Sequence, residues 1–197
     1  MSHPALRPRP AALLALALAL AFSGSAAADA RADLHAAFMK NLSAKAYRST
    51  IADLATGKTI ATVEYQSPDR FRIVPANGPT TVIAGNNMYV TLNGRAVALP
   101  LPAGMMAQYR SDAMWKRMQV DTLITDTGLG AVGAEPARKY HWVSSGKDAS
   151  NGDVWVSVKT GFVVQVQTAP SLGSKADSVR VSYGDFNSDA IKIAPPK

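Results

Sequence analysis

The chain has 197 residues, a length that suits one domain behind a leader, with 47% apolar residues, a net charge of +7 and no cysteine. The missing cysteine excludes disulfides, thiol catalysis and a lipid-modified cysteine. The basic residues (among them Arg48, Arg70, Arg72, Arg95, Arg138, Lys139 and Arg180) are scattered without any run of five or six, which describes a solvated, mildly basic surface. No nucleic-acid partner is expected from that pattern, whereas a weak attraction to anionic membrane surfaces is compatible with it.

The N-terminus has the three parts of a secretory signal peptide in order. Arg7 and Arg9 make it positive, Leu13–Phe22 (LLALALALAF) is apolar, and Ala26-Ala27-Ala28 offers a cleavage site after the break at Ser23-Gly24. The apolar run is shorter than the roughly 20 residues that span a bilayer, which favours a leader over an uncleaved anchor. Residues 1–28 are therefore expected to leave and residues 29–197 to form a single domain. The Ala-rich leader points to a bacterial source and a periplasmic location.

Leu34, Phe38 and Leu42 recur every four residues in 32–42, the spacing of an amphipathic helix. From Ala46 the pattern becomes alternating. Strands are expected over 47–55, 59–66, 70–74, 80–84, 88–92 and 95–99, divided by Thr56-Gly57-Lys58, Ser67-Pro68-Asp69, Asn77-Gly78-Pro79, Gly85-Asn86-Asn87 and the hairpin signal Asn93-Gly94. Pro100 and Pro102 close this run. Residues 104–119 (GMMAQYRSDAMWKRMQ) are poor in β-branched residues and read as a second helix or two short ones. Strand character resumes over 121–129, interrupted by glycines, then over 135–144, 154–158, 162–167 and 178–186, with 145–153 as a polar turn, 169–177 as a loop and Ile191 and Ile193 as a last short edge.

The expected fold is therefore α+β, with about ten or eleven antiparallel strands and two helical segments. Alternation makes the sheet one-sided, and its apolar face needs cover. A strongly curved sheet, a half-barrel with helices on its concave face, meets that need and encloses an apolar cavity.

Four phrases carry a family resemblance. Glu64-Tyr65-Gln66-Ser67-Pro68-Asp69-Arg70-Phe71-Arg72-Ile73, Val82–Val90 (VIAGNNMYV), Val154-Trp155-Val156-Ser157 with Thr160-Gly161-Phe162, and Tyr183–Asn187 followed by Ile193-Ala194-Pro195 resemble successive strand and turn steps of the LolA-like superfamily, including its LppX/LprG type. The resemblance covers nearly all of the chain after the leader. It implies a half-barrel that holds acyl chains under helical lids, a lipid or acylated ligand, and a membrane-associated donor or acceptor protein. In the lipoprotein carriers of the family an arginine before the proline ties the lid shut. Here Ser67 stands before Pro68, with Arg70 and Arg72 nearby, so a general lipid carrier fits better than a lipoprotein shuttle.

Alternation and the Met-rich second helix select Tyr65, Phe71, Ile73, Met88, Val90, Met106, Met114 and Trp115 as lining, Met being suited to irregular apolar ligands. No enzyme, cofactor or metal site is expected. Only His35 and His141 follow the leader, no Gly-x-Ser-x-Gly is present, and Asp121, Asp126 and Glu135 are isolated. Asn41-Leu42-Ser43 matches a glycosylation sequon by chance. A monomer is expected. The competing reading is a non-enzymatic protein-binding or sensing module with the same fold and a packed interior, favoured if Trp155 lies outside and exposed.

Overall fold

The computed structural model describes residues 30–92, 94–102, 105, 111, 122–145, 149–170 and 178–196. Helix α1 spans residues 30–43. Eleven strands follow: β1 (Ala46–Asp53), β2 (Thr59–Gln66), β3 (Arg70–Pro75), β4 (Thr81–Ala84), β5 (Asn87–Leu92), β6 (Arg95–Pro100), β7 (Thr122–Val132), β8 (Glu135–Ser144), β9 (Ser150–Ser157), β10 (Val163–Pro170) and β11 (Val179–Gly184). The expected second helix, over 104–119, lies outside the described residues except for Met105 and Ser111.

All eleven strands form one open antiparallel sheet in the order β6-β5-β4-β3-β2-β1-β11-β10-β9-β8-β7. Strands that neighbour in the chain pair, except β6 and β7, which are the two edges of the sheet, and β1 also pairs with β11, Ile51 opposite Val181. Two meanders thus meet at one long-range seam. Turn chemistry explains the short connections: Leu92 pairs directly with Arg95, and Gly94 supplies the left-handed φ of 75° that a two-residue hairpin turn requires.

The two faces of the sheet bury different things. Helix α1 covers the β7–β11 half of one face, here the helix face. Its Ala30, Leu34 and Ala37 pack against Ile124, Tyr140, Val154 and Val163, with Phe38, Trp142, Val156, Val166 and Tyr183 around them. The fit rests on the i, i+4 and i+7 spacing of 30, 34 and 37 along one side of the helix. Asn41 fixes the end of α1: its Oδ1 accepts from Val163 N at 2.9 Å and its Nδ2 donates to Val163 O at 3.1 Å. Lys40 Nζ donates to Thr160 O at 2.6 Å beside it. An amide so engaged is poorly placed as a glycosylation acceptor.

The opposite, outer face is crossed by the C-terminal segment after β11. Ile191 and Ile193 do not form an edge strand as their alternation implied. They are buried, 4% and 1% exposed, against Ala46, Val82 and Tyr89. The segment is held by side chains of the sheet rather than by a ladder: Gln66 Oε1 accepts from Ile193 N at 2.8 Å, and Arg70 donates to Ile193 O at 2.9 Å. We call it the strap. A second correction concerns β9, which begins at Ser150. Asn151, Gly152 and Asp153 pair with Val143, Trp142 and His141 of β8, so residues 150–153 of the polar run read as a turn are strand.

Candidate functional site

The register of β1–β6 assembles an apolar surface on the helix face. Tyr47 lies opposite Tyr65, Tyr65 opposite Phe71, Phe71 opposite Ile83, Ile83 opposite Met88 and Met88 opposite Leu99. A second row runs parallel: Ser49, Val63, Ile73, Thr81, Val90 and Val97. Since directly opposed residues share a face, both rows cross six strands without interruption. Tyr65, Phe71, Ile73, Met88 and Val90 all fall within them. Met106, Met114 and Trp115 lie outside the described residues.

From Tyr65 outward, exposure rises along the first row. Tyr65 is 3% exposed, Phe71 and Ile83 8% each, Met88 is half-buried and Leu99 is 43% exposed. The deep end is aromatic, with Tyr47 and Tyr65 ring centroids 5.1 Å apart and Tyr65 and Phe71 5.0 Å apart, distances at which offset or tilted rings attract. The Tyr65 hydroxyl donates to Pro68 O at 3.2 Å, so its polar tip is satisfied within the protein. Tyr183 joins the two halves of the face. It pairs with Ser49 across the seam, its ring lies 5.8 Å from that of Tyr47, and it packs into the α1 cluster. Burial, with Tyr47 adding to it, pushes the Tyr183 phenol up to about 12. Single-residue alternation found five of these residues and missed Tyr47, Val63, Ile83 and Leu99, which follow from register.

The outer face is charged and is engaged with the strap. Glu64 accepts from Arg48 at 2.9 Å and from Arg72 at 2.7 Å, Arg48 also reaches Asp185, and Arg72 donates to Lys192 O at 2.7 Å. Arg70 and Arg72 therefore serve the strap and stand on the face opposite the apolar rows. A groove of about 620 Å³ opens between Lys45, Ala46, Gln66 and Ser67 and the strap residues Asn187, Ser188, Asp189, Ile191 and Lys192; its lining mixes polar and apolar groups and includes no residue of the apolar rows.

His141 is on the outer face, as its alternation with Tyr140 and Trp142 predicts. Its Nδ1 lies 2.9 Å from Asp153 Oδ1, and Lys139 Nζ lies 3.0 Å from Asp153 Oδ2. Burial would raise the Asp153 carboxyl, but the hydrogen bonds from His141 and Lys139 outweigh it and hold the group below the usual range. Trp155 is also on the outer face but only 9% exposed, beneath Lys139 at 5.1 Å and against Ala137 and Val164. It presents no exposed aromatic patch. Among the described residues no cluster of three or more His, Asp or Glu is placed to hold a metal, and no helix is long and apolar enough to cross a membrane.

No protein-family model matches the sequence, and no curated protein matches it. Solved structures do. The lipoprotein LppX of Mycobacterium tuberculosis superposes with a TM-score of 0.62 at 12% identity, over 81% of this chain and 96% of LppX. LprF from Mycobacterium bovis follows at 0.57 and 11%, over 86% of this chain and 96% of LprF. MucB matches at 0.50 and 14%, over 86% of this chain and 61% of its own. The chain thus shares its fold with LppX and LprF, in line with the LppX/LprG-type resemblance of its sequence.

Proposed function

We propose that this chain is a periplasmic carrier that holds lipid or acyl chains on the helix face of β1–β6, as a half-barrel closed by helical lids. The observation that supports the reading is the pair of unbroken apolar rows. They pass from a buried aromatic floor to an exposed edge and carry no charged side chain, their only polar members being Ser49 and Thr81. Acyl chains bind by leaving water, at about 0.8 kcal/mol per methylene buried. Such a ligand asks for apolar width and adaptability more than for placed polar groups. In this reading Tyr65, Phe71, Ile73, Met88 and Val90 form the sheet side of the site and Met106, Met114 and Trp115 the lid side. Residues 1–28 are the leader, and 29–197 act as one monomeric domain without a cofactor. A membrane-associated protein gives or receives the cargo.

The test is native mass spectrometry of the protein recovered without detergent from the exported fraction, with lipid extraction of the same sample. A co-purifying lipid mass is the expected result. Met88→Glu and Met114→Glu are expected to reduce uptake of a fluorescent fatty acid more than they lower the thermal midpoint. A bare protein that takes up no probe would sink the carrier reading and leave the protein-binding module.

A further inference from the structure

Strands β1–β6 return on one another, so the β1–β2, β3–β4 and β5–β6 connections share one end of the sheet. At that end large apolar side chains stand in water. Ile60 is 43% exposed, Val74 42% and Leu92 51%. Ile60 and Val74 are neighbours: Val74 lies opposite Thr62, and Ala76 N donates to Ile60 O at 2.7 Å. Leu92 lies two strands away, opposite Arg95. Basic residues stand among them. Lys58 closes the β1–β2 turn, Arg95 opens β6, and Arg180 lies opposite Ala52 at the start of β11. Among the described residues the acid at this end is Asp53, which is turned back on its own loop and accepts from Thr56 N and Thr56 Oγ1 at 2.6 Å each.

The other end of the same six strands is different in kind. It carries Lys45, Ser67, Asp69, Asn86, Asn87 and, from the strap, Asp189 and Lys192, with both signs mixed. Of the described large apolar side chains in β1–β6, Leu99 alone is exposed towards that end.

Exposed aliphatic side chains at strand ends, with lysine and arginine at the same end of the sheet, match the chemistry of one surface: an anionic bilayer, whose headgroups attract the cations and whose acyl boundary accepts the apolar groups. We infer that the end of the sheet bearing Lys58, Ile60, Val74, Leu92 and Arg95 docks on anionic phospholipid membranes. Leu92 continues, on the helix face, the strand positions of Met88 and Val90, while Ile60 and Val74 continue the outer-face positions of Glu64 and Arg72, so both faces present apolar groups at this end. Docking concerns where the protein meets the bilayer, and it stands whether or not the helix face holds an acyl chain.

The experiment is co-sedimentation of the exported protein with vesicles of pure phosphatidylcholine, and with vesicles of equal parts phosphatidylcholine and phosphatidylglycerol. Binding is expected to the anionic vesicles and to fall at least about tenfold in Lys58→Glu/Arg95→Glu. A comparable loss is expected in Ile60→Ser/Val74→Ser/Leu92→Ser, whose side chains are exposed and whose thermal midpoint checks folding. Lys45→Glu/Lys192→Glu makes the same charge change at the opposite end and should keep most of the binding. Equal loss in that control would reduce the effect to net charge and overturn the inference. So would equal binding to neutral vesicles, or no binding at all, which would leave the exposed end to a protein partner. Fatty-acid uptake in solution, measured on the same samples, reports on the carrier reading alone.

Discussion

Glu64 and Arg72 face each other across the β2–β3 pair, with Glu64 Oε2 2.7 Å from Arg72 Nη1, and the other nitrogen of the same guanidinium holds the carbonyl of Lys192. One side chain therefore ties sheet to strap. The contact is partly exposed, and ion pairs of that kind contribute little, about 0–1 kcal/mol. The strap's anchorage should come from Ile193 instead. Ile193→Ala is expected to lower unfolding free energy by about 2–4 kcal/mol, and Arg72→Ala by about 1 kcal/mol. Urea titration of the two variants tests the order, and a larger loss for Arg72→Ala would show that the strap is held electrostatically.

Gly152 is a packing requirement. A Cβ there would meet Gln167 O at 2.1 Å and Trp142 Nε1 at 2.8 Å. The carbonyl belongs to the β10 ladder and cannot swing away as a side chain could. Gly152→Ala should cost more than about 2 kcal/mol and disturb the Trp142 environment, read as a shift in tryptophan emission. A variant with unchanged midpoint and emission would show that the β9–β10 spacing relaxes freely.

Asn41 spans the two backbone groups of Val163 and so ties the end of α1 to β10. Asn41→Ala leaves a partly buried N–H and C=O without that partner and should cost about 1–3 kcal/mol. Hydrogen exchange should accelerate first at Val163 and along the last turn of α1. Unchanged protection at Val163 would mean that water replaces the amide without loss.

The seam responds to alkali. The Tyr183 phenol sits at about 12 in the folded chain, against 10 for an ordinary tyrosine. A raised folded value means that the unfolded state gives up its proton first as pH rises. The stabilisation is complete below pH 10 and is lost between 10 and 12, about 2–3 kcal/mol in all. Tyr140, raised to about 12 by burial with Asp33 and Asp126 nearby, acts in the same direction. Thermal midpoints should therefore fall steeply above pH 10, and Tyr183→Phe should flatten that fall. A slope identical in Tyr183→Phe would assign the alkaline transition to other groups.

Alternation reads the strands where side chains, not pairing, decide them. The expected bounds of β2 and β8 coincide with the observed Thr59–Gln66 and Glu135–Ser144, because each shows a period-2 contrast between sharp turns. It fails where the backbone decides. Residues 151–153 are polar and contain a glycine, yet they pair on both sides, with β8 and with β10. Ile191 and Ile193 alternate like a strand, but the side chains of Gln66 and Arg70 take the backbone groups of Ile193 that a ladder would use. The apolar surface was legible by face and not by row. Phe71 and Met88 each announce an inward face, but only register joins them through Ile83. The lid residues Met106, Met114 and Trp115 remain part of the proposal.

The seam also sets an order of assembly. Nine of the ten strand pairings join neighbours in the chain and can zip locally as hairpins, whereas β1 must find β11, Ser49 meeting Tyr183 across most of the domain's length. Closing so long a loop is entropically slow, and topologies dominated by such distant contacts fold slowly. Until residue 184 has joined, each meander has an additional unpaired edge, an invitation to pair with another copy. The last residues of the chain thus complete the central join and then cross its outer side, so a truncation at the C-terminus should show first as aggregation during folding, before any loss is seen in the finished protein.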